Sequence, residues 1–254
     1  MRTRQADAPR YLLLLASILG SLLGGPSAAA AIQAAPAAAT AADTLYEYRT
    51  ATPDGIGKYY MGREISHVMG HLGAAWLERP TREREERTDL FIGRLTLQPG
   101  DVVADIGAGT GYFSFPIAER VPEGRVLAVD IQPEMLQIIE QRRRALGIDN
   151  VEPVEGTIAD PRLPRGEVDL IFIVDAYHEF SHPREMGRAM FEALKPGGRL
   201  VLLEYRGEDP TVPIKLLHKM TEAQVRKELS SVGFQWVRTE DFLPQQHVLV
   251  FEKR

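Results

Sequence analysis

Two groups of residues in this sequence have the types and spacing to do chemistry. The first is Asp105-Ile106-Gly107-Ala108-Gly109-Thr110-Gly111, with three glycines spaced two apart. Glycine has no side chain to hold a ligand away, so such a turn lets backbone N–H groups come close to a bound molecule. The turn follows apolar Val102-Val103-Ala104 and precedes an apolar run from Tyr112 to Ala118, so it joins a strand to a helix. Free N–H groups at the helix start add a weakly positive end. Asp130 closes the next apolar stretch, Arg125 to Val129. A carboxylate at that place can accept both hydroxyls of a ribose. Together these residues read as a nucleoside site on a parallel sheet.

The second group is Asp175-Ala176-Tyr177-His178-Glu179-Phe180-Ser181-His182. It follows Val168 to Val174, nearly all apolar, as a strand buried on both faces should be. Ligands of open α/β sheets bind at the carboxyl ends of the strands. Histidine titrates near neutral pH, which makes His178 the candidate general base, with Tyr177 and His182 beside it. His178 to His182 also matches the His-Glu-x-x-His pattern of zinc proteases. That pattern needs a helix to turn both histidines to one metal, whereas this segment is a loop ending at Pro183. His67 and His71 lie within Tyr59 to Leu77, where Ile65, Met69, Leu72 and Trp76 recur at helical spacing. They would share a helical face, but no third ligand accompanies them, so no metal site is expected. Tyr60, Tyr112, Tyr177, Tyr205 and Trp76 are candidates for an aromatic pocket wall.

The elements that must position these groups follow from the rest of the chain. Residues 1–30 have three arginines, an apolar run from Tyr11 to Leu23 and then small residues, the order of a secretory signal. An uncleaved anchor is the competing reading. Residues 31–44 read as a flexible leader, 45–98 as an N-terminal arm and helical cap, and 99–254 as the core. The mixed-charge run Glu78 to Arg87 reads as a solvated face, and Lys215 to Met220 as a short helix over the pocket. The chain has 254 residues and no cysteine, which removes disulfides, thiolate metal sites and cysteine nucleophiles. A formal net charge of −5 argues against a large nucleic-acid footprint. The expected location is exported, periplasmic, with no stable membrane insertion once the leader is cleaved.

With these residues in place, the chain resembles the class I methyltransferases that use S-adenosyl-L-methionine, in the broad small-molecule group of the ubiquinone and menaquinone type. The resemblance covers about residues 90–252. It implies an α/β fold: a Rossmann-like seven-stranded sheet with a C-terminal antiparallel pair and N-terminal helices over the pocket. It implies that Asp105 ends the first strand and that Gly107, Ala108, Gly109 and Gly111 form the cofactor loop. Asp130 would bind the ribose, with Ile131 beside the adenine. Asp160 would face the adenine amino group, with Thr157 in the same loop; read from the residues alone, Asp160 equally suits capping of local backbone. Asp175, Tyr177 and His178 would line the cofactor and the reacting methyl. Lys195-Pro196-Gly197-Gly198 before the fifth strand is also typical. No Asn-Pro-Pro-Tyr-like sequence is present, which disfavours protein and nucleic-acid substrates. The expected substrate is a small molecule, and the expected state a monomer or homodimer. The alternatives are a nicotinamide-dependent oxidoreductase, whose Gly-x-Gly-x-x-Gly pattern is met only in part, and a non-catalytic exported binding protein.

Overall fold

The computed structural model describes residues 45–254. The expected signal or anchor at 1–30 and the leader at 31–44 lie outside the described residues. Three short strands come first: β1 (Tyr46–Tyr48), β2 (Gly55–Tyr60) and β3 (Arg63–Ser66), paired antiparallel in that order. They correct the helix expected across Tyr59 to Leu77. Met61 and Gly62 sit at φ 51° and 99°, and Tyr60 pairs with Arg63, so the chain turns in a two-residue hairpin. Positive φ at both central residues matches the twist of the flanking strands. Tyr60 and Ile65 then bury beside Tyr46, while Leu72 is 90% exposed and Trp76 44% exposed. The apolar residues spaced three and four apart thus belong to a strand and to separate turns. Helix returns only in short pieces: α1 (Ala74–Leu77), α2 (Arg82–Glu86) and α3 (Thr88–Arg94).

The rest of the strands form one seven-stranded sheet. They are β4 (Val102–Ile106), β5 (Arg125–Asp130), β6 (Val151–Glu155), β7 (Val168–Val174), β8 (Leu194–Tyr205), β9 (Gln235–Glu240) and β10 (Gln246–Glu252). Their spatial order is β6-β5-β4-β7-β8-β10-β9. Strands β4 to β8 run parallel, and β10 is antiparallel to both β8 and β9. This is the expected Rossmann-like sheet with its antiparallel C-terminal pair. Strand order reverses between β4 and β7, the place where open α/β sheets leave a crevice.

Alternation along the strands feeds two apolar layers. Val103, Val126, Leu170, Phe172 and Val201 face one side, with α3, α4 (Ser114–Ala118) and α5 (Pro133–Leu146). Ala104, Leu127, Ile171, Ile173 and Leu200 face the other, with α6 (Pro183–Ala193) and α7 (Glu222–Ser230). Local signals set the helix ends. Pro133 and Glu134 open α5, and Gly147 closes it in the left-handed conformation. Thr221 Oγ1 caps α7 by accepting from Gln224 N at 3.2 Å.

The N-terminal hairpin is riveted to the core by one buried ion pair. Arg63 Nε donates to Glu228 Oε1 at 2.8 Å and Nη2 to Oε2 at 3.0 Å. Arg63 Nη1 also donates to His178 O at 2.9 Å, which fixes the loop after β7. Replacing Arg63 by alanine leaves Glu228 buried without a counter-charge, with Gln224 Nε2 still donating to it. Arg63→Ala is expected to lose about 3–5 kcal/mol of stability in urea unfolding. Equal midpoints for variant and parent would contradict this.

Candidate functional site

The carboxyl ends of β4, β5 and β7 open into a cavity of about 710 Å³. Gly107, Gly109, Asp130, Ile131, Thr157 and Asp175 line it. Gly107 lies at φ 76°, and a Cβ there would come within 2.8 Å of Ala176 Cβ. Gly109 lies at φ 55°, and its Cβ would meet Leu77 Cδ1 at 2.7 Å. Both positions therefore need glycine for conformation, and Gly107 needs it for space as well. Asp130 sews this loop to its own strand: Oδ2 accepts from Gly109 N and Oδ1 from Gln132 N, each at 2.9 Å. Burial raises the Asp130 pKa, and the backbone N–H groups oppose that rise.

Of the other expected cofactor residues, Asp105, Ala108, Gly111 and Asp160 stand behind or beside the wall. Asp105 is buried beneath the loop and accepts from Ser114 Oγ at 2.6 Å; burial pushes its carboxyl up to about 7. Ala108 N donates to Val129 O at 2.9 Å. Gly111 lies at φ 78° against Phe115 and Ile139, so its role is packing. Asp160 is exposed, and its Oδ1 accepts from Arg162 N at 2.7 Å, the local capping arrangement. Asp175 adopts φ 48° and accepts from Gln246 Nε2 through Oδ2 at 2.8 Å. Its Oδ1 has no partner. Burial, then the Glu86 and Glu204 carboxylates, hold Asp175 well above the usual carboxylate range, which favours the protonated acid.

His178 lies on the cavity wall, and Tyr177 and His182 do not. Tyr177 is buried, with its ring 5.3 Å from Phe180 and the Arg63 guanidinium 5.9 Å from its centre. His182 Nδ1 meets Ser181 Oγ at 3.0 Å, and its ring packs edge-on to Tyr46. Residues Tyr177–Glu179 form a single 3₁₀ turn before α6, so the His-Glu-x-x-His spacing does not lie in one helix. His178 Nδ1 lies 2.7 Å from Glu204 Oε2, and His178 N donates to Glu204 Oε1 at 3.3 Å. Glu204 is fully buried. A carboxylate on Nδ1 makes that nitrogen the N–H donor and leaves Nε2 as the acceptor. Nε2 lies 3.2 Å from His218 Nδ1.

Glu204, Glu179 and His218 are the residues that sequence reasoning missed. Glu179 is mostly buried, and burial pushes its carboxyl up to about 7. His218 belongs to the 3₁₀ turn Leu216–His218, within the segment expected to cover the pocket. Burial and the nearby His178 lower its pKa. A signal for Glu204 was present: it is an acid inside the apolar run Leu200 to Tyr205. His67 lines the cavity, but His71 sits in a separate turn, so the two share no helical face. Of the aromatic candidates, Trp76 and Tyr205 line the cavity.

The arm closes over the glycine loop. Gln132 clamps it, with Oε1 accepting from His71 N at 2.7 Å and Nε2 donating to Met69 O at 3.0 Å. The mixed-charge run is not simply a solvated face. Arg82 and Glu86 are buried and paired at 3.0 Å across one turn of α2. Tyr205 Oη donates to Glu86 Oε1 at 3.2 Å, and the Arg82 guanidinium lies 4.5 Å from the centre of the Tyr112 ring. Their i, i+4 spacing in α2 lets the two side chains meet, and both turn inward.

Residues 103–198 match the family model described as "Methyltransferase domain". The sheet has the methyltransferase fold. A solved S-adenosylmethionine-dependent methyltransferase from Aquifex aeolicus superposes with a TM-score of 0.69 at 22% identity, covering 74% of this chain and 100% of that one. The cyclase SpnF has the same fold, with a TM-score of 0.58 at 18% identity over 66% of this chain and 79% of its own. A methyltransferase-like protein of Schizosaccharomyces pombe is 28% identical over 150 residues, 59% of this chain and 56% of that protein. The ubiquinone/menaquinone biosynthesis C-methyltransferase of Ectopseudomonas mendocina is 33% identical over 111 residues, 43% of each chain. The chain thus spans about half the length of the curated relatives it matches.

The Asp105 environment carries a pH signature. Its folded pKa of about 7 lies above the ordinary carboxylate value, so folding takes up a proton between those limits. The stability it contributes is present at low pH and is lost as pH rises toward 7. Asp105→Asn keeps an acceptor for Ser114 and removes the titration. The stability of the parent relative to this variant should fall between about pH 4 and 7, by an amount on the order of 4 kcal/mol. Urea unfolding across that range measures it; parallel curves for the two proteins would rule it out.

Proposed function

We propose that this protein transfers the methyl group of S-adenosylmethionine to an oxygen, nitrogen or other nucleophilic atom of a small molecule. One observation carries the reading: a glycine loop laced to Asp130 opens into the same cavity that ends at His178. The residues fit the cofactor. Close approach is built in at Gly107 and Gly109, Asp130 has lone pairs left for ribose hydroxyls, and Ile131 and Met135 supply apolar wall. A cavity of about 710 Å³ suits a nucleoside ligand with a small acceptor. When bound, the cofactor supplies a methyl made electrophilic by its sulfonium.

The chain's own work is then positioning and proton handling. In-line displacement depends on alignment, so a loop fixed by Asp130 and an arm clamped by Gln132 supply much of the rate. Glu204 holds His178 in the tautomer whose Nε2 can accept a proton from the acceptor group. The matched domain and the methyltransferase relatives support this reading over hydride transfer. SpnF, a cyclase on the same fold, is the reason to test cofactor binding first. The formal charge of −5 supports a small acceptor over nucleic acid.

Calorimetric titration of the purified chain with S-adenosylmethionine and S-adenosylhomocysteine tests the proposal. Saturable binding is expected, weakened about 10–100-fold in Asp130→Ala. A folded protein that binds neither ligand would overturn it. His178→Ala should retain that affinity and lose about 100-fold or more in turnover of any acceptor found by screening. Unchanged turnover at saturation would remove His178 from the chemistry.

The sequence of residues 1–30 supports export. Expression of the full chain should yield a periplasmic product whose N-terminus lies beyond the apolar run. Full-length protein retained in the cytoplasm would count against export.

A further inference from the structure

We propose that His178, Glu179 and His218 form a binding site for a first-row divalent cation, zinc foremost, with an open coordination position facing the cavity. Three donor atoms converge there. His178 Nε2 lies 3.2 Å from His218 Nδ1, and Glu179 Oε1 lies 3.8 Å from the first and 3.9 Å from the second. A point equidistant from those three atoms is about 2.1 Å from each, the length of a zinc–nitrogen or zinc–carboxylate bond. Among the described residues, this is the group whose histidine and carboxylate donors converge closely enough to hold an ion.

The surroundings are those of a catalytic rather than a structural centre. Two imidazoles and one carboxylate leave a fourth position open, and all three residues line the cavity. Glu204 takes the other ring nitrogen of His178 at 2.7 Å, the carboxylate–histidine arrangement that fixes tautomer and raises ligand basicity. His178 is gripped further through its backbone: its N–H donates to Glu204 and its carbonyl accepts from Arg63 and Ser66. One ligand is thus preorganised, and the other two come from its chain neighbour and from the turn over the pocket. His218 needs only to carry its proton on Nε2 for both lone pairs to meet. Of the lysines that flank that turn, Lys215 is engaged by Asp54 and Lys219 donates to the Asp209 and Val212 carbonyls. With a cation in place, His178 acts as a ligand rather than a base, and the open position holds an oxygen donor such as an acceptor hydroxyl or water. Nitrogen with carboxylate donors suits zinc and its neighbours rather than magnesium or calcium.

The test uses the full chain after chelator treatment and dialysis. Titration with Zn²⁺ by calorimetry, and with Co²⁺ by visible absorption, is expected to show uptake of about one equivalent and a low-symmetry cobalt spectrum. His218→Ala and Glu179→Gln should abolish the stoichiometric step. Glu204→Gln, which keeps the shape, should weaken it about 10–100-fold. S-adenosylhomocysteine affinity, measured on the same samples, reports the cofactor site separately, so either site can fail without the other. No stoichiometric uptake by the folded parent would overturn the proposal. Uptake left unchanged in both His218→Ala and Glu179→Gln would overturn it as well.

Discussion

A carboxylate sealed from water must find its hydrogen-bond donors within the protein. Glu204 finds both on one residue, the backbone N–H and the Nδ1 side of His178. Since Glu204 belongs to β8 and His178 follows β7, the pairing ties the tip of one strand to the loop of its neighbour. Arg63 and Ser66 hold the same residue from the other side, through its carbonyl. Three of the four polar atoms of His178 are therefore committed to structure. Only Nε2 remains to face the cavity, in a direction set by β3 and β8.

Burial raises the pKa of all three acids at the strand tips. Asp130 is held by two backbone N–H groups, which favour the anion and oppose burial. Asp105 has one hydroxyl donor in a buried site, and at Asp175 burial is reinforced by two other carboxylates, so both are pushed toward the neutral acid. The three differ in their donors: Asp130 accepts from two backbone N–H groups, whereas Asp105 and Asp175 each accept from one side chain.

The parallel core was readable because strands buried on both faces leave continuous apolar runs, and their glycine and acidic ends interrupt those runs sharply. Asp130 and His178 stood at such ends, so their place at the cavity followed from the strands. Residues 59–77 were misread because apolar spacing at three and four also arises when a short strand is followed by turns. Only the positive φ of Met61 and Gly62 separates the two cases, and Met61 gives no hint of it. The run Glu78 to Arg87 read as a solvated face because the burial of Arg82 and Glu86 within it comes from Tyr112 and Tyr205, contacts that no local pattern encodes. His218 was missed for the same reason: 40 residues separate it from His178.

The Arg63–Glu228 pair has a consequence for synthesis. The hairpin leaves the ribosome before its partner, which follows 165 residues later. Until α7 emerges, Arg63 has no carboxylate to meet and Tyr60 has no Ser231 to bond. A small antiparallel sheet standing alone is marginal in water. Contacts so distant in sequence carry a loop-closure cost and form late. The hairpin made first is thus docked last. A nascent chain that has already built its glycine loop still lacks the grip on the His178 carbonyl, and the site is completed only when the two ends of the described chain meet.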